Sequence, residues 1–283
     1  MKIARFTESG DTRLGVVTGD HVADVGRVDA SLPADVGALL AAGGLSRVAD
    51  LVATARLLPL ADVILEAPIA QPPEFLAIGL NYSDHVAESG MQKPAAPIVF
   101  NKQVTCITGP SGPIEVPAAA PEWVDYEGEL GVVIGRRCRA VKAAEAAEVV
   151  AGYLVVNDVS VRDWQRATPT MTMGKSWDTH GPIGPWLVTT DEIPDPHDLR
   201  IRTWVDGDLR QDASTAQMIT NCWDLIEHIS TAFTLLPGTI IATGTPAGVG
   251  FVMDPPRCLS PGSIVRIEIE SIGTIENPVI AQP

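Results

Sequence analysis

The hydrophobic positions along this chain come in short runs broken by turn chemistry, and their spacing is more often that of strands than of helices. Lys2–Phe6, Arg13–Val17 and His21–Val25 read as strands parted by Glu8-Ser9-Gly10-Asp11 and Thr18-Gly19-Asp20. Two Ala/Leu-rich stretches follow, Ala34–Ala42 and Ser46–Leu58, both helix-like and separated by Gly43-Gly44. Pro68 and Gln71-Pro72-Pro73 then read as a linker. The expected division is a small N-terminal α/β domain over 1–70 and a larger domain over 71–283.

The larger part alternates apolar runs with turns and has few helices. Phe75–Leu80 has the continuous apolar character of a buried strand, and Ile98–Lys102 forms a strand among Pro- and Gly-rich loops over 91–121. Asn81–Gly90 reads as a short helix with Ser83 at its N-cap and Gly90 as its stop. Ala143–Val150 is helix-like, and Asn221 is placed to cap a helix with Leu225, Ile226, Ile229 and Phe233 on its apolar face. Ile201–Val205, Asp206-Gly207 and Asp208–Gln211 make a hairpin with an Asp-Gly turn. Thr239–Thr243 and Ile264–Ile269 are further strands. With strands so frequent and crossover helices so few, the pattern favours a β-rich α+β fold, mostly antiparallel, over a doubly wound sheet.

Composition narrows the classes of function. The chain has 283 residues, of which 46% are hydrophobic, enough for a full core. Its 20 basic and 35 acidic residues give a net charge of −15, unfavourable for a phosphate backbone, so no nucleic-acid partner is expected. No charge-free apolar run is long enough to span a bilayer, and the opening Met1-Lys2-Ile3-Ala4-Arg5-Phe6 lacks a signal peptide's apolar region. Cys106, Cys138, Cys222 and Cys258 are scattered, as in a reduced protein of the cytoplasm. An anionic substrate would therefore need local positive charge, from a metal or from a few placed Lys and Arg side chains.

The candidate chemistry centres on Val124–Ile134. Read as a strand, it sends Glu127 and Glu129 to one face, while Gly128 leaves room for close approach on the other. An isolated Glu-x-Glu is ordinarily a solvated edge, but here it opens into an apolar run, and Asp158 ends another, Ala151–Asp158. Three carboxylates form an all-oxygen set suited to Mg²⁺ or Mn²⁺. His85 and Glu88, three apart on the short helix, share a face and could make a water-activating base. Lys175, in a stretch flanked by Gly and Pro, could meet a carboxylate or an enolate. Ile240–Gly250 is a strand entering a Gly-rich turn without the lysine of a phosphate loop or Rossmann glycine spacing, and its N–H groups could instead hold a substrate carboxylate. No Gly-x-Ser-x-Gly occurs, and no local signature supports a cysteine nucleophile.

Together these pieces resemble the fumarylacetoacetate hydrolase family in its shorter bacterial branch. The resemblance rests on Gly79-Leu80-Asn81-Tyr82 through His85 and Glu88, Phe100-Asn101-Lys102, Asp125–Leu130 and Asn157-Asp158-Val159-Ser160. It continues through Arg162-Asp163-Trp164-Gln165, Gly174-Lys175-Ser176 with Asp178-Thr179, and Thr243–Gly250. It implies a mixed β-sandwich roll, a homodimer, and Mg²⁺ or Mn²⁺ on Glu127, Glu129 and Asp158. It also implies a His85–Glu88 dyad on a lid helix, Lys175 stabilising an enolate, and Lys102, Arg162, Gln165 and Thr245 contacting substrate or site. The implied reaction is cleavage of a C–C bond in a small 2,4-dioxo acid to a carboxylate and pyruvate. Decarboxylation of an oxaloacetate-like acid and enol–keto isomerisation remain open on the same site, as does a catalytically silent small-acid binding protein. Two departures stand out. The fourth metal carboxylate of the longer members has no counterpart, and Trp177 and His180 stand where a Phe or another aromatic is expected, which suggests a different acyl pocket.

Overall fold

The computed structural model describes residues 1–283. Its strands form one large sheet, a five-stranded sheet packed against it, and a two-stranded ribbon of Val124–Asp125 with Ser160–Val161. Along the main path of the large sheet lie Leu57–Pro59, His21–Ala23, Asp11–Thr18, Lys2–Glu8, Gly181–Thr189, Val150–Asn157, Gly128–Ile134, Ile240–Ala242, Phe75–Gly79 and Ile98–Lys102. The second sheet runs Asp208–Ser214, Arg200–Val205, Ile264–Ile269, Gly273–Ala281 and Ile114–Val116. Only Gly181–Thr189 with Ile107–Thr108, Ile240–Ala242 with Phe75–Gly79, and Gly273–Ala281 with Ile114–Val116 pair in parallel. The β-rich, mostly antiparallel α+β reading is correct. No helix is long and apolar enough to cross a membrane.

The central Gly128–Ile134 strand is buried on both faces, which accounts for its unbroken apolar run. Leu130, Val132 and Ile134 enter the core between the two sheets, with Ile201, Val265 and Ile267 opposite. Val133 faces the other way, into a second core with Val36, Leu39, Leu40 and Ile69 of the N-terminal region. The N-terminal strands belong to the same sheet, because Lys2 and Ile3 pair with Val188 and Leu187.

Several local expectations change. Tyr126 and Glu127 interrupt the Val124–Ile134 run, which divides into strands at Val124–Asp125 and Gly128–Ile134. The short helix spans Ser83–Glu88, and Tyr82, not Ser83, occupies the N-cap, with no side-chain cap bond. Burial of the Tyr82 ring fixes that turn in place of a hydroxyl cap. Ala143–Val149 is a 3₁₀ helix. Ser46–Leu58 resolves into all but the first residue of a Leu45–Leu51 helix, a 3₁₀ turn and the start of a strand. Asn221 does cap Cys222–Ala232, accepting from the N–H groups of Trp223 and Asp224, but Phe233 falls past the helix end and is exposed.

Candidate active site

Where the two sheets meet at the start of Gly128–Ile134, Glu127, Glu129 and Asp158 bring carboxylate oxygens within 4.8 Å of one another, all buried. Gly128 makes this convergence possible. A Cβ there would sit 2.4 Å from Thr203 Oγ1, so the second sheet closes on the opposite face as the spacing implied. The Glu127 backbone is held by Asn157, whose Oδ1 accepts from Glu127 N, and by Asp158 N, which donates to the Glu127 carbonyl.

Cations compensate the acids unequally. Lys175 Nζ donates to Glu127 Oε2 at 2.5 Å and to Asp158 Oδ2 at 2.6 Å. Arg162 Nη1 donates to Glu127 Oε1 at 2.5 Å, while its Nε and Nη2 grip Asp125 Oδ2. Lys102 Nζ lies 2.7 Å from Asp158 Oδ1 and donates to the Lys175 carbonyl. Burial would push Glu127 up, but the charges of Lys175 and Arg162 outweigh it and hold the carboxyl well below its ordinary range. Glu129 meets only the Gly244 N–H. Burial first, then the charges of Asp158 and Glu127, push it well above the ordinary carboxylate range. Burial lowers Lys175, yet Asp158 and Glu127 prevail and hold it above its usual value, as an ammonium.

These residues fit a divalent cation. The donors are all carboxylate oxygens, the set preferred by hard ions. Lys175 marks the place, since a cation is already what two of the three hold. Glu129, which no side-chain cation touches, is the acid of the three whose ionised form would need a bound ion to offset it.

Beside the triad is a cavity of about 320 Å³, lined by His85, Glu127, Glu129, Arg162, Gln165, Lys175 and Thr245 among others. His85 Nδ1 pairs with Glu88 Oε1 at 2.7 Å, which leaves Nε2 as the free nitrogen of the dyad. Glu88 Oε2 accepts from Gly248 N, so the dyad acid is tied to the Gly-rich turn. Thr245 Oγ1 donates to the Gly128 carbonyl and accepts from Gln211 Nε2. Gln165 Oε1 accepts from Arg162 Nη1. Lys102 does not line this cavity and stands behind Asp158 instead. Lys175, expected in a loop, sits at the end of a one-turn helix, Thr172–Lys175, and is only 2% exposed.

The Gly-rich turn serves a different partner from the one expected. Its N–H groups hold the protein's own acids: Gly244 donates to Glu129, Gly248 to Glu88, and Gly250 and Phe251 to Asp125. Trp177 and His180 are not in the cavity wall. Trp177 packs edge-on against Trp164, and His180 is buried with Nε2 on the Glu115 carbonyl, so neither shapes this cavity from there. Sequence reasoning gave no role to Asp125, Gln211 or Asn81. Asp125 braces Arg162 from its far side, and Gln211 joins Gly128 N to Thr245 and Pro246. Asn81 ties the helix entry to the carbonyls of Thr220 and Thr243. Asp125 carried a signal as the first acid of the Asp-x-Glu-x-Glu run and Asn81 as part of Gly79-Leu80-Asn81-Tyr82, whereas Gln211 carried none.

The fold and site define a β-rich α+β protein with a buried carboxylate site for a divalent cation. The chain belongs to the fumarylacetoacetate hydrolase family: the family described as Fumarylacetoacetate (FAA) hydrolase C-terminal matches residues 74–280, and the one described as Rv2993c-like, N-terminal matches residues 1–68. Over 99% of its length the chain is 40% identical to a mitochondrial oxaloacetate tautomerase, fahd2, of Xenopus laevis, covering 90% of that protein. It superposes on a fumarylacetoacetate hydrolase of Exiguobacterium antarcticum with a TM-score of 0.90 at 37% identity, covering 100% of each chain. A maleylpyruvate hydrolase of Sphingobium, solved with manganese(II) and pyruvate, gives a TM-score of 0.84 at 33% identity, again covering 100% of each.

Proposed function

We propose that this protein is a Mg²⁺- or Mn²⁺-dependent hydrolase that cleaves the C–C bond of an acylpyruvate-like 2,4-dioxo acid to a carboxylate and pyruvate. The observation that carries the reading is that His85, paired with Glu88 behind it, lines the same cavity as Glu127, Glu129 and Lys175. Glu127, Glu129 and Asp158 would hold the ion, which when bound polarises the 2-oxo group as a Lewis acid. Glu88 fixes the His85 tautomer, with the proton on Nδ1, so that Nε2 accepts a proton from water. That water attacks the distal carbonyl, and the C–C bond breaks towards the pyruvate fragment. The proton held on His85 then passes to the methylene carbon that becomes the pyruvate methyl group. Lys175, kept charged by Glu127 and Asp158, stabilises the enolate oxygen.

Enol–keto tautomerisation is the second reading, favoured by the fahd2 relative, and would use the same base without activating water. Product analysis separates the two. With Mn²⁺, an acylpyruvate is expected to give acid plus pyruvate, with loss of activity in EDTA and in Glu127→Ala. His85→Gln should lower kcat by about 10²–10⁴-fold. Turnover of oxaloacetate enol alone, with no C–C cleavage, would overturn hydrolysis.

A further inference from the structure

Three side-chain cations line the site cavity: Arg162, Lys175 and Arg166. The first two are engaged by protein carboxylates, Arg162 by Asp125 and Glu127, Lys175 by Glu127 and Asp158. Arg166 makes no ion pair and is exposed at the cavity wall, with its guanidinium carbon 4.1 Å from the centre of the Phe251 ring. Phe251 is itself fixed, its ring edge-on to Trp123 and its N–H on Asp125. A guanidinium stacked on an anchored ring is held in place while its N–H fork stays free for a planar anion.

The helix Arg162–Ala167 sets the spacing. Arg162 and Arg166 are four apart and so lie on the same face, about 6 Å from each other along the axis. Arg162 is bonded to Glu127 of the triad, and Arg166 follows it by one helical turn. The neighbouring wall is largely apolar, from Met91, Ile98, Phe100, Met171 and Val252. An anion entering against the chain's charge of −15 meets one uncommitted cation there.

We propose that Arg166 is a specificity-determining residue that binds a second carboxylate at the distal end of the substrate, so that the preferred 2-oxo acid is a dicarboxylate. The assignment rests on the reading of this cavity as a 2-oxo acid site. Arg166 provides the fork, Phe251 holds it flat, and the apolar wall accommodates the carbon chain between the two charged ends.

Binding tests this apart from catalysis. The Mn²⁺-loaded protein is titrated calorimetrically with 2-oxoadipate and with 2-oxohexanoate, which match in length and lack the 1,3-dicarbonyl unit that would be cleaved. Wild type is expected to bind 2-oxoadipate at least about tenfold more tightly. Arg166→Gln should bring the two probes within about threefold of each other, and Arg166→Lys, which keeps the charge without the fork, should fall between. Equal affinities in wild type, or a preference that survives Arg166→Gln, would overturn the assignment. Failure of both probes to bind would overturn it together with the 2-oxo acid reading, whereas equal binding would leave that reading standing.

Discussion

Glu127 and Glu129 stand two residues apart on one backbone and titrate in opposite directions. Lys175 and Arg162 both reach Glu127, and neither bonds to Glu129. The sequence could place these acids on one face, since strand alternation is local. It could not show which of them the cations reach, because Lys175 arrives from 48 residues away. His180 shows the converse, a residue set apart by its type that belongs to the packing. Burial holds its imidazole down at about 4 against 6.5 for an ordinary histidine, with Nε2–H donating to Glu115. The stability this contributes is fully present above about pH 6.5. It is lost as pH falls towards 4, because the unfolded chain takes up a proton that the folded one refuses, at a cost of up to about 3 kcal/mol. His180→Gln, which can still donate to the Glu115 carbonyl, should flatten that acid limb. Urea denaturation at pH 7 and pH 4.5 measures it, and an unchanged pH dependence would show that other groups carry the acid sensitivity.

At the scale of elements, legibility followed how local the determinant was. The Asp206-Gly207 hairpin was readable because both turn residues need positive φ, and they have it at 54° and 83°. Asn221 was readable as a cap because the donors it serves are the next residues along the chain. The Ser83 cap failed because tertiary burial of Tyr82, invisible in a local pattern, fixes that helix entry. The Gly-rich turn was recognised as an array of N–H donors, but its acceptors come from distant segments. Gly248 in this turn has φ +107°, and a Cβ there would sit 1.9 Å from the Arg210 carbonyl oxygen. Gly248→Ala is therefore expected to cost at least about 2 kcal/mol in chemical denaturation. It should also lower kcat, because the N–H that holds Glu88 moves with the backbone. An unaltered midpoint would mean that the turn yields freely.

For the whole molecule, the division near residue 70 separates two matched family segments but cuts across a continuous sheet. Lys2–Glu8 pairs with Gly181–Thr189, and Leu14 and Leu39 share a core with Val133 and Leu154. The Pro-rich linker was what suggested a division there, whereas strand pairing between segments nearly 190 residues apart leaves no local trace. The full chain is accordingly expected to unfold in one calorimetric transition; two resolved transitions would mean the N-terminal region melts independently. One property of the site bears on how such a protein can change. Three of its acids, Glu129, Glu88 and Asp125, are held by main-chain amides of a single turn, which substitutions in the neighbouring side chains leave in place. The neighbouring wall is lined by Met91, Ile98, Phe100, Met171 and Val252, none of which holds those acids. Mutational drift can therefore rework what the cavity accepts while its electrostatic frame stays intact, so directed evolution for new ligands should begin at that wall.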